Sequence, residues 1–377
     1  MFKEFIRSLA WTAYRLLPKL NYAVVYGWPD YEDMALALQD RLDETPVRKV
    51  IFFIYGKPCR QFQLKPKTKI VRKDSIRGLL YFLFARYVFF THRCFMWRFP
   101  PNVVSVNVWH GMPFKKVGWL QKDHRGIASQ YALATSDFWA DIMQKTMRPI
   151  DGALITGLPR NDRLFSKPDA VWQRLEFPKG GAFKKTVAWL PTFRNSVRGE
   201  IFHDGIESGN MFGMPGVEAE VLNEFFKQQN TLAFVKPHPM APFEKAIELS
   251  HLIVVDEQWL RDRGLTLYEV LGQMDVLITD ISSVVVDYLI LDRPVIHSFH
   301  DMVEFESSRG FLMNPVTDYL AGPVVTSVEE LLHCLTQTLQ GGDSHADQRK
   351  KMRKLFHQNP DDQATTRLLK HLALLPK

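Results

Sequence analysis

The stretch Asp275-Val-Leu-Ile-Thr-Asp-Ile-Ser-Ser-Val-Val-Val-Asp-Tyr288 decides the fold. A short apolar run meets an aspartate and two serines, and a second apolar run of helical character follows. That is one half of a βα unit, strand then turn then helix. The same pattern recurs on either side, at 186–192 (TVAWLPT), 231–239 (TLAFVKPHP), 251–256 (HLIVVD) and 294–298 (PVIHS). An earlier series stands at 49–56 (KVIFFIYG), 103–109 (VVSVNVW), 131–135 (YALAT) and 153–156 (ALIT). Strands alternating with helices give parallel sheets covered on both faces. Two series predict two Rossmann-like, doubly wound α/β domains over 21–165 and 166–345, joined through the Pro-, Gly- and Arg-rich stretch from Leu158 to Lys185. Residues 346–377 are expected to form helices that pack back across the domain junction. Ligands of such folds sit outside the carboxyl ends of the strands, so chemistry is sought just after each strand and in the crevice between domains.

At 377 residues with 46% apolar and 24% charged side chains, the chain is neither disordered nor fibrous. Its formal charge of +7 suits an anionic partner. Three scattered cysteines, Cys59, Cys94 and Cys334, make no disulfide framework and point to a reducing, cytoplasmic setting.

Residues 1–20 place Phe2, Phe5, Ile6, Leu9, Ala13, Leu16 and Leu17 at helical spacing, with Lys3, Arg7, Arg15 and Lys19 opposed only by Glu4. This is too polar to span a bilayer and has no cleavable leader pattern. It suits an amphipathic helix lying on a membrane surface, or an ordinary helix covering the first domain. From Arg60 to Phe99 there are ten basic residues and one acid, Asp74. Within that region, 78–90 (GLLYFLFARYVFF) carries a single charge. The aromatic-basic segment 76–99 therefore reads as a second contact with an anionic leaflet. Nucleic acid is the rival anion, but no recognised nucleic-acid-binding motif accompanies the charge.

Candidate chemistry follows the strands. His110, in VWHGMPFKK, stands where a general base would, with Lys115 and Lys116 placed to hold an anion. Lys236 and His238, in VKPHP, are presented from a turn stiffened by two prolines. In ITDISSVVVDY, Thr279 ends the strand. Asp280 or Ser282 is expected to cap the next helix, Ser283 adds a hydroxyl to a helix N-terminus that suits phosphate, and Asp287 follows one turn on. Smaller sets are Thr192 and Arg194 in LPTFR, Arg160 in GLPRND, and Arg309 in SRGF. Walker, GxGxxG, DxD and HExxH patterns are all lacking, so neither a metal site nor a cofactor is indicated. Cations and helix dipoles would then have to stabilise any phosphoryl charge.

In order, 109–119 (WHGMPFKKVGW), 135–143 (TSDFWADIM), 156–165 (TGLPRNDRLF), 188–196 (AWLPTFRNS), 234–239 (FVKPHP), 275–296 (DVLITDISSVVVDYLILDRPVI) and 308–325 (SRGF to AGPVV) resemble the CDP-glycerol glycerophosphotransferase family of teichoic-acid and capsule enzymes. The blocks cover roughly residues 100 to 330. Two departures are Phe193, where the family often has Trp, and VKPHP, where it often has Leu and Arg before the His-Pro.

The resemblance implies a GT-B fold, two Rossmann-like domains facing across a cleft. It implies CDP-glycerol as donor, an undecaprenyl-diphosphate-linked or polymeric glycan acceptor, and CMP as leaving group, the activity of a phosphotransferase for substituted phosphate groups. The family's two histidine motifs fall on His110 and His238. On this reading His110 takes the acceptor proton. His238, the Ser282–Ser283 helix start and Arg309, with Arg194 as a second candidate, hold the pyrophosphate, and Asp287 accepts a sugar or glycerol hydroxyl. The enzyme would work as a peripheral protein at the cytoplasmic face of the membrane, with a homo-oligomer compatible with this picture. The alternatives are a CDP-ribitol ribitolphosphotransferase and a GT-B sugar-nucleotide glycosyltransferase.

Overall fold

A computed structural model describes residues 11–376, apart from 93, 122–125, 127, 177–182, 193, 195–205, 207–209 and 239–245. Half of the basic N-terminal segment, residues 1–10, thus lies outside the described residues; 11–16 are helical.

Strands β1 (Leu20–Tyr26), β2 (Lys49–Ile54), β3 (Thr68–Arg72), β4 (Ala85–Phe90), β5 (Val104–Asn107), β6 (Tyr131–Ala134) and β7 (Ala153–Ile155) form one sheet, in the order β3-β2-β1-β4-β5-β6-β7. All its pairings are parallel. Strands β8 (Lys185–Leu190), β9 (Thr231–Val235), β10 (Ile247–Glu248), β11 (Leu252–Val254), β12 (Val276–Thr279), β13 (Val295–Ser298) and β14 (Val324–Val325) form a second sheet, in the order β10-β11-β9-β8-β12-β13-β14. Only the short edge strand β10 runs antiparallel. Each sheet grows one way from its first strand and then the other way. The strand order therefore reverses between β1 and β4 in the first sheet and between β8 and β12 in the second. In doubly wound sheets this reversal opens the binding crevice at the carboxyl edge.

The strand sequences explain the layering. KVIFFI is buried at five of its six positions and TLAFV at all five, as strands covered on both faces must be. Val24, Ile51, Phe53, Val88 and Phe90 pack with Phe82 and Tyr14 in the first core. Val187, Trp189, Val235, Ile278 and Ile296 pack with Phe226 and Leu335 in the second.

The chain divides into two compact units: 1–110, 117–163 and 357–377 in the first, and 111–116 and 164–356 in the second. Sequence reading placed 111–116 with the first domain and treated 346–377 as one block. By contacts, GMPFKK belongs to the second unit, and the C-terminal helices part at residue 357. The returning segment is anchored by Asp162, whose carboxylate accepts from the N–H groups of Ala364 (2.8 Å) and Thr365 (2.9 Å). These amides begin the helix Ala364–His371, and an acid at that end satisfies them.

The segment 76–99 also reads differently in three dimensions. Ser75 caps the helix Ile76–Phe84, its Oγ accepting from Gly78 N–H at 3.0 Å. At Ala85 the backbone turns extended (ψ 138°) and the run continues as β4, beside the reversal point. Phe82, Val88, Phe89, Phe90 and Phe99 are therefore core residues. Of the apolar side chains here, Ile76, Leu79, Leu80 and Trp97 stay on the surface.

Candidate active site

In the first unit the reversal point is lined by rings. Trp28 N–H, past β1, donates to Thr91 Oγ1 (3.1 Å), past β4, and ties the two bordering strands together. The next residue, His92, lies 5.2 Å from the Trp28 ring and stacks on His110 at 4.9 Å, with 15° between planes. His110 also lies 3.9 Å from the Trp109 ring. The turn that presents it is strained: Trp109 has a left-handed φ of 51°, held by Asn107 Oδ1 accepting from Trp109 N–H at 3.1 Å. Such outliers persist where the surroundings over-determine them, and they gather at functional sites. His110 itself is exposed. Burial, with Lys73 nearby, pushes the His92 pKa down to about 4, so His92 is a neutral ring under His110. Sequence reading missed His92 because β4 was taken for part of a surface run.

In the second unit the reversal point is lined by ions. Arg194, past β8, makes a two-pronged contact with Asp301, past β13, at 2.7 and 2.8 Å, and a third contact with Asp280, past β12, at 2.8 Å. Thr192 Oγ1 also donates to Asp280, and Asp301 accepts from Ile206 N–H at 2.8 Å. Arg194, Asp280 and Asp301 are all buried. Burial opposes the guanidinium charge, but the two carboxylates outweigh it and hold Arg194 protonated beyond its ordinary range. Burial likewise opposes the Asp301 carboxylate, and Arg194 draws its pKa below the usual value. Asp280 thus serves this network and not the following helix. Ser282 Oγ instead accepts from Val284 N–H, at 3.4 Å. That helix, Val284–Tyr288, is only five residues long, which weakens the expected dipole at its start. Thr279 is fully buried and donates to Leu190 O at 2.5 Å. Asp301 was legible in principle, since it closely follows the strand at 294–298.

Beside this network three segments bring cations together. Lys116 N–H donates to Gly310 O (3.2 Å) and Leu312 N–H to Phe114 O (2.8 Å), with Lys115 opposite Phe311 in an antiparallel bridge. GMPFKK is thereby zipped onto RGFL, beside Arg309. Gly310 has φ 76° and a Cβ there would fall 3.1 Å from the Lys116 side chain, so a larger residue would be strained and crowded. Burial first, then Lys115 and Lys236, lowers the His238 pKa to about 3. His238 is therefore neutral at pH 7, and the lysines supply the positive charge. Lys236 is itself buried and pairs with Glu257 at 2.5 Å, a partner that sequence reading did not foresee.

Two other candidates have internal partners. Asp287 is fully buried and accepts from Tyr268 OH at 2.6 Å, so it supports the fold beneath the serines, unlike the expected contact with a substrate hydroxyl. Arg160 is buried in the first unit and lies near Glu32. Ser282 and Ser283 stay half-buried. Among the described residues no group of three His, Cys, Asp or Glu side chains is placed to hold a metal ion.

Two doubly wound parallel sheets, each with polar or aromatic side chains gathered at its reversal point, make an α/β architecture of GT-B type. The chain belongs to the CDP-glycerol:poly(glycerophosphate) glycerophosphotransferase family, which matches residues 12–374. It is 24% identical to a teichoic acid glycerol-phosphate transferase of Staphylococcus aureus, over 97% of each chain. It is 25% identical to the teichoic acid ribitol-phosphate polymerase TarK of the same organism, over 63% of this chain and 47% of that one. The structure of the wall teichoic acid polymerase TagF superposes with a TM-score of 0.74 at 18% identity, covering 99% of this chain and 98% of that one.

Proposed function

We propose that this chain transfers glycerol phosphate from CDP-glycerol to a hydroxyl of a lipid-linked or polymeric glycan acceptor and releases CMP. The observation that carries this reading is the convergence of Lys115, Lys236 and neutral His238 beside the β8/β12 reversal point, in a chain of this family. A pyrophosphate needs cations and hydrogen-bond donors aimed at its oxygens. Lys115, Lys116 and Arg309 supply charge, and His238 and the Ser282–Ser283 hydroxyls supply hydrogen bonds.

The acceptor oxygen attacks the β-phosphorus, the bond from that phosphorus to the bridging oxygen breaks, and CMP leaves with the electron pair. His110 takes the acceptor proton, a role its exposure permits. Arg194 and Asp280 act beneath the site: their charges are spent on each other and on Asp301, and they fix the loop that carries the serines.

The acceptor's lipid carrier calls for a membrane surface. Leu16, Ile76, Leu79 and Leu80 are exposed in the first unit, where the Tyr14 ring stacks on Phe82 at 5.6 Å and Lys19 Nζ donates to Leu83 O at 2.7 Å. This apolar surface, flanked by Arg15 and Arg77, suits an anionic leaflet. Among the described residues no helix is long and apolar enough to cross a membrane.

The test is CMP release with CDP-glycerol, CDP-ribitol and UDP-sugars, each offered with a lipid-linked acceptor. Release from CDP-glycerol in preference to the others supports the reading. Preference for CDP-ribitol changes the polyol, and turnover of UDP-sugars alone refutes the reaction class.

A further inference from the structure

His297, the third residue of β13 (Val-Ile-His-Ser), is fully buried. Its ring joins two backbone segments. Nδ1 lies 2.8 Å from the carbonyl oxygen of Asp280, and Nε2 lies 3.2 Å from the amide nitrogen of Ala321. A carbonyl can only accept and an amide N–H can only donate. The ring is therefore the neutral tautomer with its proton on Nδ1. Burial, which outweighs the Asp280 carbonyl, lowers the His297 pKa to about 4 and keeps it in that form.

The segment on the Ala321 side is held firmly. His297 N–H donates to Pro323 O at 2.8 Å, and Gly322 packs so close to Val295 O that any Cβ there would fall 1.8 Å from it. The Asp280 side is the turn that carries Ser282 and Ser283 and anchors Arg194. A phenylalanine would fill similar space in β13 but would remove a partner from both backbone groups.

We propose that His297 is a positioning residue for the donor site: it fixes the turn 280–283 against the 320–323 segment so that the two serines meet the donor phosphates in register. This rests on the CDP-glycerol reading above. A rigid turn costs no reorganisation when the donor binds.

The experiment compares His297→Phe, His297→Asn and His297→Gln with wild type, following donor KM, kcat, CDP-glycerol binding by calorimetry, and Tm. The Asn amide reaches the place of Nδ1 and can donate to Asp280 O, whereas the Gln amide reaches the place of Nε2 and serves Ala321 instead. His297→Phe is expected to raise donor KM about tenfold, the weight of one positioning hydrogen bond, with a smaller change in kcat. His297→Asn is expected to recover most of that affinity and His297→Gln much less. If the Phe variant does not fold, the Asn–Gln difference carries the test. Equal KM values across the folded variants, with only Tm lowered, would reduce His297 to a packing residue. Wild type is measured first: failure to bind CDP-glycerol would overturn the functional reading, whereas normal wild-type binding with invariant KM overturns only the role of His297.

Discussion

The two reversal points share one topology and carry opposite chemistry. After β4 and β5 in the first sheet come His92, Trp109 and His110, a group of rings with an exposed histidine at its edge. After the corresponding β12 and β13 in the second come Asp280 and Asp301, closed around Arg194 and buried. A ring stack is held by contact and tolerates small shifts. A buried ion triad is held by charge and does not. The difference suits the tasks proposed above: a base would have to meet acceptors of varied shape, whereas a nucleotide pyrophosphate would need donors fixed before it arrives.

This contrast is broken most forcefully at Arg194. Arg194→Met leaves Asp280 and Asp301 buried without their cation and is expected to destabilise the protein by about 3–5 kcal/mol, read as a loss of Tm or of soluble protein. A Tm near that of wild type would mean the triad contributes little to rigidity. Tyr268→Phe removes the hydroxyl that Asp287 accepts from, with an expected cost of about 1–3 kcal/mol in urea unfolding and no change in reaction type.

Titration sharpens the same contrast. His92, His238 and His297 have folded pKa values lowered to about 4, 3 and 4. As pH falls below about 6.5 the unfolded chain takes up protons that the folded one refuses, so stability is lost through that window. Asp162, raised by burial to about 6, and Glu32, raised by burial to about 8, act in the opposite sense and lose stability as pH rises through those values. Between pH 4.5 and 6.5 the three histidines outnumber the two acids, so Tm is expected to fall on acidification. Between about 7 and 8 Glu32 lowers stability as pH rises, while Lys19, lowered by burial to about 8, begins to act the other way, so Glu32→Gln is expected to make Tm rise more steeply with pH across that window. The smallest effect is at the surface. Leu79→Asp with Leu80→Asp is expected to reduce cosedimentation with anionic vesicles several-fold while leaving Tm within a few degrees.

Strand periodicity made both sheets legible, because fully buried parallel strands read as unbroken apolar runs. β1, β3, β4 and the two-residue edge strands β10 and β14 went unread. β4 shares its run with the preceding helix, and only the change of backbone at Ala85 divides them. The motifs after the strands located Thr192, Arg194, Asp280, His110 and His238, but their pairing was not legible. Arg194 and Asp301 are separated by 107 residues, and nothing local to either marks the other. The zipping of 111–116 onto 310–312 is likewise a tertiary fact, carried by backbone hydrogen bonds that leave no trace in composition. Asp287 looked like a ligand because a charge after a strand does, until Tyr268 appeared beside it, and no motif marked Glu257 as the partner of Lys236.

The most direct test of the account is CMP release from CDP-glycerol by wild type and His110→Ala, with and without a lipid-linked acceptor, alongside CDP-glycerol binding to both. The expected result is acceptor-dependent release that falls about 10²–10⁴-fold in the variant while donor affinity and Tm stay near wild type. Near-normal release from His110→Ala would contradict the assignment of the base and, with it, the division of labour between the two reversal points.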